Sequence, residues 1–503
     1  MNGGKRWAAW LVVAAGVTVG VCCCTSQQGA TTPGVSVAAG RPARMRPDYA
    51  NTVVPPNIAP LNFAVEEPGC RYQVRIWADR GDTIQISSDV PGIIIPVGPW
   101  HQLLRQNRGS DLRVSIHTRG EQGRWLAYSP VSIAVAEEDI DSYIAYRLMR
   151  PQYNFYRELG VYQRDLRTYD ESVVLHGRSY ENGCVNCHSF QDRDPQHMML
   201  GVRSPIYGNA TLIVIGGAVA ALGRAIGHTA WHPSGRVAAF SAFDPRQFFH
   251  AARAETRDII EFDSMLGYYS FDSRSVRTNP AIAEKGRLET HPTWSPDGRY
   301  LYFVSAPKLW PDKSKFPPER YAEVRYDLKR IGYDVEADQW GEVETVLSAE
   351  QTGKSILTPR ISPDGRYLLF VMCDYGCDAI DRPNSDLSLL DLQTGRYENL
   401  ACNSEFAESW HAWSSNGRWI VFSSKRPTGI FTRLYFSYID ASGSAHKPFV
   451  LPQEDPAFYD SFTRLYNVPE YITGPVRVSK RALLNAIRSP DKIKVDAITS
   501  ATP

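Results

Sequence analysis

The chain of 503 residues is 43% hydrophobic and 22% charged, a composition typical of a globular protein with about two to four domains. Its 55 Lys and Arg residues balance 54 Asp and Glu residues, and the net charge of +1 excludes nucleic-acid binding through bulk positive charge. The mean hydropathy of −0.32 excludes a polytopic membrane protein. The 37 Gly and 34 Pro residues, spread through a chain that is 11% aromatic, favour a mainly β fold with many tight turns.

Residues 1–24 have the pattern of an export signal. A short basic start precedes an apolar run of 18 residues that ends at Cys24, and such a start directs the rest of the chain out of the cytoplasm. The three cysteines at its end resemble a bacterial lipoprotein signal, except that Val21 stands where Gly or Ala is usual. An uncleaved anchor is the alternative, because 18 residues can just span a bilayer. Either way we expect a periplasmic chain anchored to the membrane, with a Gly/Pro/Ser/Thr-rich linker over residues 25–55.

Short alternating runs of apolar and polar residues fill residues 56–138, among them YQVRIWA and LRVSIHT. Turn residues separate these runs, and the pattern predicts a small β-sandwich. After Asp139 the apolar residues recur at helical spacing, with Ile144 and Leu148 on one face, which predicts one or two helices. We expect these helices to pack over the next motif, so that residues 139–204 form a short helical and loop segment.

Residues 184–188 read Cys-Val-Asn-Cys-His, the motif through which haem c is attached to proteins. Two thiols about one helical turn apart add to the two vinyl groups of the porphyrin, and the adjacent histidine becomes an axial ligand of the iron. A structural disulfide, a redox-active dithiol and half of a zinc site are the alternatives. The flanking sequence lacks the strand and long helix of a dithiol enzyme and the second ligand pair of a zinc site. We therefore expect Cys184 and Cys187 to bind haem c and His188 to ligate its iron.

The sequence offers four candidates for the second axial ligand: His176, His197, Met198 and Met199. Met199 is preferred because it lies in an apolar stretch 11 residues after His188, far enough for the chain to pass round the porphyrin edge. A thioether ligand would also raise the reduction potential. Packing in the core is the alternative role for the two methionines.

Four cysteines lie outside the motif and the N-terminal segment: Cys70, Cys373, Cys377 and Cys402. In an oxidising compartment they can form disulfides, and a turn between Cys373 and Cys377 would allow a local bridge. Buried free thiols are the alternative.

Four segments repeat one pattern, with Gly235, Gly298, Gly365 and Gly417 at equivalent positions. A strand end, a Pro or Ser, an Asp, Asn or Ser and then the Gly together form a tight turn. The following residues alternate, as in RYLYFVS from Arg299, so each segment is a β-hairpin. A second strand–turn–strand unit follows each hairpin, and four strands in each repeat predict a β-propeller.

These hairpins resemble the blades of the TolB family, which carry a similar S-P-D-G-[KR] turn. Two turns match closely, at 295–299 and 362–366, and two match loosely, at 232–236 and 414–418. The resemblance implies a TolB-like propeller of six blades. Segments such as CVNCHSF, YDLKRIGYD and SWHAWSSNGRW also resemble a group of exported bacterial proteins that join a C-x-x-C-H segment to such a propeller. We place the propeller at residues 205–475 and a C-terminal tail at residues 476–503.

Three histidines lie near the starts of repeats: His232, His291 and His411. If they face the central channel together, they could bind a metal ion or another ligand. The alternative is that each packs at a blade edge beside a tryptophan, because equivalent positions in repeats often recur for structural reasons.

Together, the residues and the resemblance predict a membrane-tethered periplasmic c-type cytochrome with the propeller as a docking domain. Its haem would pass single electrons to or from a protein partner. No nucleic-acid partner is expected, and the membrane is contacted through the N-terminus only. One alternative is a binding module with a structural haem, and another is a haem enzyme of peroxidase or oxidase type. No catalytic residue is assigned, because the sequence lacks a nucleophile elbow, a P-loop and a Rossmann glycine pattern.

Overall fold

The computed structural model describes residues 36–151, 158–251 and 257–494. The export signal predicted at residues 1–24 lies outside these ranges, and the side chain of Cys187 is also outside the description. In the part of the chain described, no helix is long and apolar enough to cross a bilayer. The described chain forms a small N-terminal β domain and a ring of sheets, so the mainly β fold is confirmed.

The N-terminal domain contains two sheets and one helix. The larger sheet consists of β1 (Ser36–Pro42), β3 (Val53–Val54), β5 (Arg71–Trp77), β6 (Ile84–Ser88), β8 (Asp111–Arg119), β9 (Trp125–Ser129) and β10 (Val131–Val135). The smaller sheet consists of β2 (Met45–Arg46), β4 (Phe63–Val65) and β7 (Gly92–Ile93), and helix α1 spans Val97–Gln106. The apolar side chains of this domain share one core with Trp419 and Val421 of the ring, so the two parts pack tightly together.

Two features of this domain differ from the sequence prediction. Residues 36–55, predicted as part of a linker, contain β1–β3, and Tyr49 and Val54 are buried in the domain core. Helix α1 was not expected among the alternating runs. It forms because three apolar residues, Trp100, Leu103 and Leu104, lie on one face and are buried, as in an amphipathic helix.

The ring consists, within the described residues, of six four-stranded sheets, each of which is called a blade. Blade 1 contains β11 (Tyr143–Met149), β12 (Gly160–Asp165), β13 (Glu171–His176) and β34 (Leu465–Ile472); blade 2 contains β14 (Cys184–Phe190), β15 (His197–Ser204), β16 (Gly208–Ile215) and β17 (Ala218–Leu222). Blade 3 contains β18 (Gly227–Trp231), β19 (Val237–Phe249), β20 (Arg257–Ser270) and β21 (Ser275–Arg277); blade 4 contains β22 (Arg287–Trp294), β23 (Tyr300–Pro307), β24 (Asp327–Asp334) and β25 (Gln339–Leu347). Blade 5 contains β26 (Ser355–Ile361), β27 (Tyr367–Cys373), β28 (Asp386–Asp391) and β29 (Tyr397–Asn399); blade 6 contains β30 (Glu408–Trp413), β31 (Trp419–Ser424), β32 (Arg433–Tyr438) and β33 (Phe449–Val450).

The inner strands of successive blades contact one another around a closed ring, in the order β14, β18, β22, β26, β30, β34 and back to β14. Blade 1 closes the ring, because its inner strand β34 comes from the C-terminal part of the chain and pairs antiparallel with β11. This mixed blade holds the two ends of the propeller together. The closed ring of blades confirms the predicted β-propeller fold.

The repeated turn has the chemistry predicted from the sequence. In blade 4, the Ser295 hydroxyl donates to Asp297 (2.6 Å) and accepts from the main-chain N–H of Tyr300 (3.0 Å). Asp297 also accepts from the main-chain N–H of Arg299 (3.1 Å), and Gly298 has φ of +73°. This left-handed conformation explains the glycine in each of the four turns.

The helical segment predicted after Asp139 is wrong in the described residues, because strands β11–β16 lie within residues 143–151 and 158–215. Strand β11 is buried on both faces: Ile144 and Leu148 enter the core shared with the N-terminal domain, whereas Ala145 and Met149 enter a core with blade 2. A strand that is apolar on both faces carries no alternation and can match a helical spacing by accident. The propeller therefore begins at Tyr143 rather than at residue 205.

The predicted C-terminal tail also contains ordered structure. Helix α4 (Lys480–Arg488) follows β34, and its buried Leu483 and Ile487 pack in a core with blades 1 and 2. The other two α-helices among the described residues, α2 (Ala349–Thr352) and α3 (Phe458–Ser461), are single turns.

The four cysteines outside the C-x-x-C-H motif and the N-terminal segment are free thiols in the structure. Cys70 is exposed, whereas Cys373, Cys377 and Cys402 are buried. For Cys373, Cys377 and Cys402, the structure therefore agrees with the alternative of buried free thiols.

Candidate functional site

The C-x-x-C-H motif lies on β14, the inner strand of blade 2, and not in the loop or helix that was predicted. Cys184 pairs with Arg203 of β15 and Asn186 pairs with Gly201, but His188 pairs with Leu200. Cys187 is therefore the extra residue of a β-bulge. The motif is extended, which separates its two cysteines by more than one helical turn would.

His188 is a buried, neutral imidazole. It is only 3% exposed, and neither ring nitrogen has a hydrogen-bond partner of normal geometry, although the main chain of Ala145 passes close by. Burial, together with the positive charge of Arg147, lowers the pKa of His188 to about 3. An imidazole in this state has a lone pair free to ligate a metal ion.

Cys184 is 7% exposed and packs in an apolar cluster with Val185, Phe190 and Met198. Its thiol donates to the side-chain oxygen of Asn186 (3.6 Å), which also accepts from the Arg147 guanidinium (2.9 Å). The first cysteine of the motif therefore lies inside the propeller wall.

The structure does not bring Met199 to His188. Met199 pairs with Ser189 and points to the opposite face of the blade, where it packs against Trp231 and Phe240 of blade 3. Met198 lies on the same face of the blade as His188, so the two side chains project in the same direction. The two axial ligands of one iron would have to approach it from opposite sides. Met198 is therefore not placed to be the second ligand.

The two histidine candidates also lie elsewhere. His197 is at the start of β15 and pairs with Asp194 (3.0 Å). His176 ends β13, the outer strand of blade 1, where its Nδ1 accepts from the main-chain N–H of Arg178 (3.2 Å).

A ring of equivalent residues lines the central channel. His228, His291, Thr358, Trp410 and Val468 each have a left-handed backbone, with φ between +42° and +52°, at a bulge of an inner strand. In β14 the bulge falls at Cys187. Four of the five residues lie seven positions before the turn glycine of the same blade, so the repeat alignment contained the signal for them.

His228, Glu261 and His291 converge in this channel. The Nε2 atom of His228 lies 2.9 Å from Oε1 of Glu261, and the rings of the two histidines are 4.3 Å apart. One ligand atom from each of the three residues lies within 4.8 Å of the others. Glu261 lies on β20, which forms a long hairpin with β19. These two strands have 14 and 13 residues, about twice the 7 residues of β27 in blade 5.

Only one of the three histidines singled out from the sequence, His291, belongs to this group. His232 is in a turn, where its ring bonds to the Ser234 hydroxyl (2.7 Å) and to the Gly298 carbonyl (3.0 Å). The Nε2–H of His411 donates to the main-chain carbonyl of Leu369 (3.1 Å), and burial lowers the pKa of His411 to about 3. His232 and His411 therefore pack within the propeller, which was the alternative considered from the sequence.

A buried ion-pair network, not predicted from the sequence, lies on the long hairpin and the adjacent loops. The Arg257 guanidinium contacts Asp381 (2.9 Å) and Asp378 (3.0 Å), and Lys425 contacts Asp381 (2.6 Å). Burial raises the pKa of Asp378 to about 6, although Arg257 opposes this. The network joins blade 3 to the loops of blades 5 and 6.

At the end of the channel where the repeated turns lie, the channel widens into a cavity of about 360 Å³. Tryptophans from three blades line it: Trp231, Trp294 and Trp413. Arg360 and Glu470 also line it, 3.8 Å apart, and burial raises the pKa of Glu470 to about 6.

No family of known proteins and no curated protein matches this chain in sequence. Several solved structures are similar. TolB from Acinetobacter baumannii is 13% identical, with 75% of this chain and 85% of that chain covered and a TM-score of 0.43. An oligogalacturonate lyase in complex with manganese is 14% identical (74% and 98% covered, TM-score 0.30). The hydrazine synthase of Kuenenia stuttgartiensis is 14% identical (52% and 64% covered, TM-score 0.30). The propeller assignment itself rests on the six sheets and their closed ring.

Proposed function

We propose that this chain is an exported c-type haem protein that transfers single electrons to or from a protein partner. The observation that supports this most directly is the His188 imidazole, which is buried immediately after a C-x-x-C pair and has no hydrogen-bond partner of normal geometry on either ring nitrogen. A buried polar group without a partner destabilises the fold, and a bond to iron would satisfy this one. The donor set is that of haem c.

In this proposal Cys184 and Cys187 hold the porphyrin and His188 ligates its iron. Each thiol adds across a vinyl C=C bond, so that sulfur bonds to one carbon and the thiol proton goes to the other. Bound haem supplies one-electron redox chemistry. The positive charge of Arg147, close enough to lower the pKa of His188, would favour the reduced state of a metal bound there.

Export and membrane attachment belong to the same proposal. They are supported by the basic start and apolar run of the sequence, which end at Cys24. A periplasmic location would provide the compartment in which haem c is attached, and an N-terminal tether would leave the propeller free to dock a redox partner.

The placement of Met199 favours one alternative, a haem enzyme with an open iron position. Because Met199 points to the opposite face of the blade from His188, it cannot ligate the same iron without rearrangement. Carbon monoxide distinguishes the two functions, since it binds ferrous haem only at an open or labile position. If the wild-type protein binds carbon monoxide and Met199→Ala binds it equally well, the result would favour the enzyme.

The first experiment is expression of the full chain together with the cytochrome c maturation proteins. We expect covalent haem that survives denaturing electrophoresis, and we expect Cys184→Ala with Cys187→Ala to abolish it. Cys402→Ala is the matched control, because it removes another buried thiol outside the motif. Folded, matured wild-type protein without haem would contradict the proposal.

The second experiment tests the axial ligand. His188→Ala should keep covalent haem but shift the visible spectrum and open the iron to carbon monoxide. His411→Ala is the control, because His411 is also a buried histidine on an inner strand with a pKa near 3. An unchanged spectrum in His188→Ala would assign the iron to another ligand.

A further inference from the structure

We propose that His228, Glu261 and His291 bind a divalent first-row transition metal ion inside the propeller channel. The three ligand atoms lie within 4.8 Å of one another. In a tetrahedral site with bonds of about 2.1 Å, ligand atoms are about 3.4 Å apart, so the largest separation in the group needs to close by about 1.4 Å. The site is separate from the C-x-x-C-H motif, since its residues belong to blades 3 and 4.

Two atoms of the group are buried and have no partner. Glu261 is 5% exposed, and its Oε2 makes no hydrogen bond; His291 is 3% exposed, and its Nε2 makes none. The Nδ1 of His291 has only a long contact, at 3.4 Å from the main-chain nitrogen of Thr358. Because most buried polar atoms are satisfied in folded proteins, two such atoms within one group of three possible ligands point to a missing ligand.

The protein also fixes the orientation of these donors. The His228 ring stacks on Trp410 (5.9 Å) and on Phe243 (5.4 Å) and meets the His291 ring edge-on. Both histidines have a left-handed backbone, which L-residues rarely adopt.

The donor set selects the class of ion. Two imidazoles and one carboxylate are ligands of Zn²⁺, Mn²⁺, Fe²⁺ or Co²⁺, whereas Ca²⁺ and Mg²⁺ prefer oxygen ligands alone. Three protein ligands leave at least one coordination position for water or a substrate in the channel.

The test is a titration of metal-free, full-length protein with Co²⁺, read from its visible absorption bands, followed by competition with Zn²⁺. The Cys184→Ala, Cys187→Ala background removes any haem absorption and keeps the result independent of the proposed redox function. We expect one high-affinity site that Zn²⁺ and Mn²⁺ compete for and Mg²⁺ does not. Bound metal should also raise the melting temperature.

Variants then locate the site. Glu261→Gln, which keeps the side-chain shape, and His291→Ala should each weaken Co²⁺ binding at least about tenfold. His411→Ala and His197→Ala are the controls: His411 is a buried histidine on an inner strand outside the group, and His197 lies at the surface beside Asp194. If wild type binds none of these ions, or if Glu261→Gln binds Co²⁺ as tightly as wild type, the proposal is overturned. Melting curves of each variant verify that it is folded.

Discussion

The ring of His228 in blade 3 stacks on the ring of Trp410 in blade 6, with centroids 5.9 Å apart and planes inclined by 16°. Blades 3 and 6 are on opposite sides of the six-membered ring, so this contact crosses the channel. It therefore narrows the channel and joins two blades that share no strand pairing.

We expect Trp410→Ala to lower the free energy of unfolding by about 1–3 kcal/mol, because it removes the stack and leaves a void in the channel. Urea titration would measure this. Trp410→Phe, which keeps an aromatic face, should lose less than about 1 kcal/mol. Equal losses in the two variants would show that stacking across the channel does not stabilise the propeller.

The buried network around Arg257 provides the second prediction. Arg257→Gln removes the guanidinium that contacts the buried carboxylates of Asp378 and Asp381, and it should cost about 3–5 kcal/mol in urea titration. Arg236→Gln is the control, because Arg236 also pairs with two carboxylates, Asp272 and Glu336, but at the surface. It should cost less than about 1 kcal/mol. Similar losses would mean that burial does not strengthen the Arg257 pairs.

Glu470 provides a prediction on pH. Burial raises its pKa from 4.5 to about 6, so the folded chain holds the Glu470 proton more tightly than the unfolded chain does. Protonated Glu470 therefore contributes its full stabilisation to the folded chain below pH 4.5, and this contribution is lost as pH rises through 6. Glu470→Gln removes this dependence, so its stability relative to wild type should increase by about 2 kcal/mol between pH 4 and pH 7.

Urea titrations at the two pH values would measure the difference for Glu470→Gln. Glu398→Gln on the exposed strand β29 is the control and should change stability by less than about 0.5 kcal/mol at either pH. A Glu470→Gln variant that differs from wild type by the same amount at both pH values contradicts the prediction.

The sequence predicts the propeller where turn chemistry repeats and fails where it does not. The close S-P-D-G turns at residues 295–298 and 362–365 belong to blades 4 and 5, which were recognised. Blade 2 has no such turn after β14, because residues 191–194 read Gln-Asp-Arg-Asp. Blade 1 combines residues from both ends of the propeller, which local pattern reading cannot join. A fragment of residues 205–475, the predicted propeller, would lack β11–β15 and should not fold.

The channel site was missed for a different reason. His228 and His291 lie at equal distances before Gly235 and Gly298, so their equivalence is visible in the sequence. Glu261 comes from a third strand, and no local pattern indicates that it reaches His228. In the same way, Arg257 and Asp378 are 121 residues apart, and their contact depends on tertiary packing alone.

Two turn glycines that are equivalent in sequence should respond differently to substitution. Gly298 and Gly365 have φ of +73° and +74°, so alanine at either position is strained by about 1–2 kcal/mol. A Cβ atom on Gly298 would also lie 2.4 Å from Nε2 of His232, whereas one on Gly365 would meet nothing closer than Pro296 at 4.0 Å. Gly298→Ala should therefore cost at least about 1 kcal/mol more than Gly365→Ala, because His232 must move. Thermal and urea unfolding would measure the two values, and equal losses would show that His232 moves away without cost.

For the proposed haem attachment, the burial of Cys184 predicts when the reaction takes place. A thiol that is 7% exposed in the propeller wall cannot reach a porphyrin vinyl group, so attachment should precede closure of blades 1 and 2 around β14. In folded protein made without the maturation proteins, iodoacetamide should modify the exposed Cys70 rapidly and Cys184 only after unfolding, as measured by mass spectrometry of the peptides. Haem with reductant should likewise attach covalently to the unfolded chain and not to the folded one. Modification of Cys184 as fast as Cys70 in folded protein would show that β14 opens readily and that attachment does not depend on the order of folding.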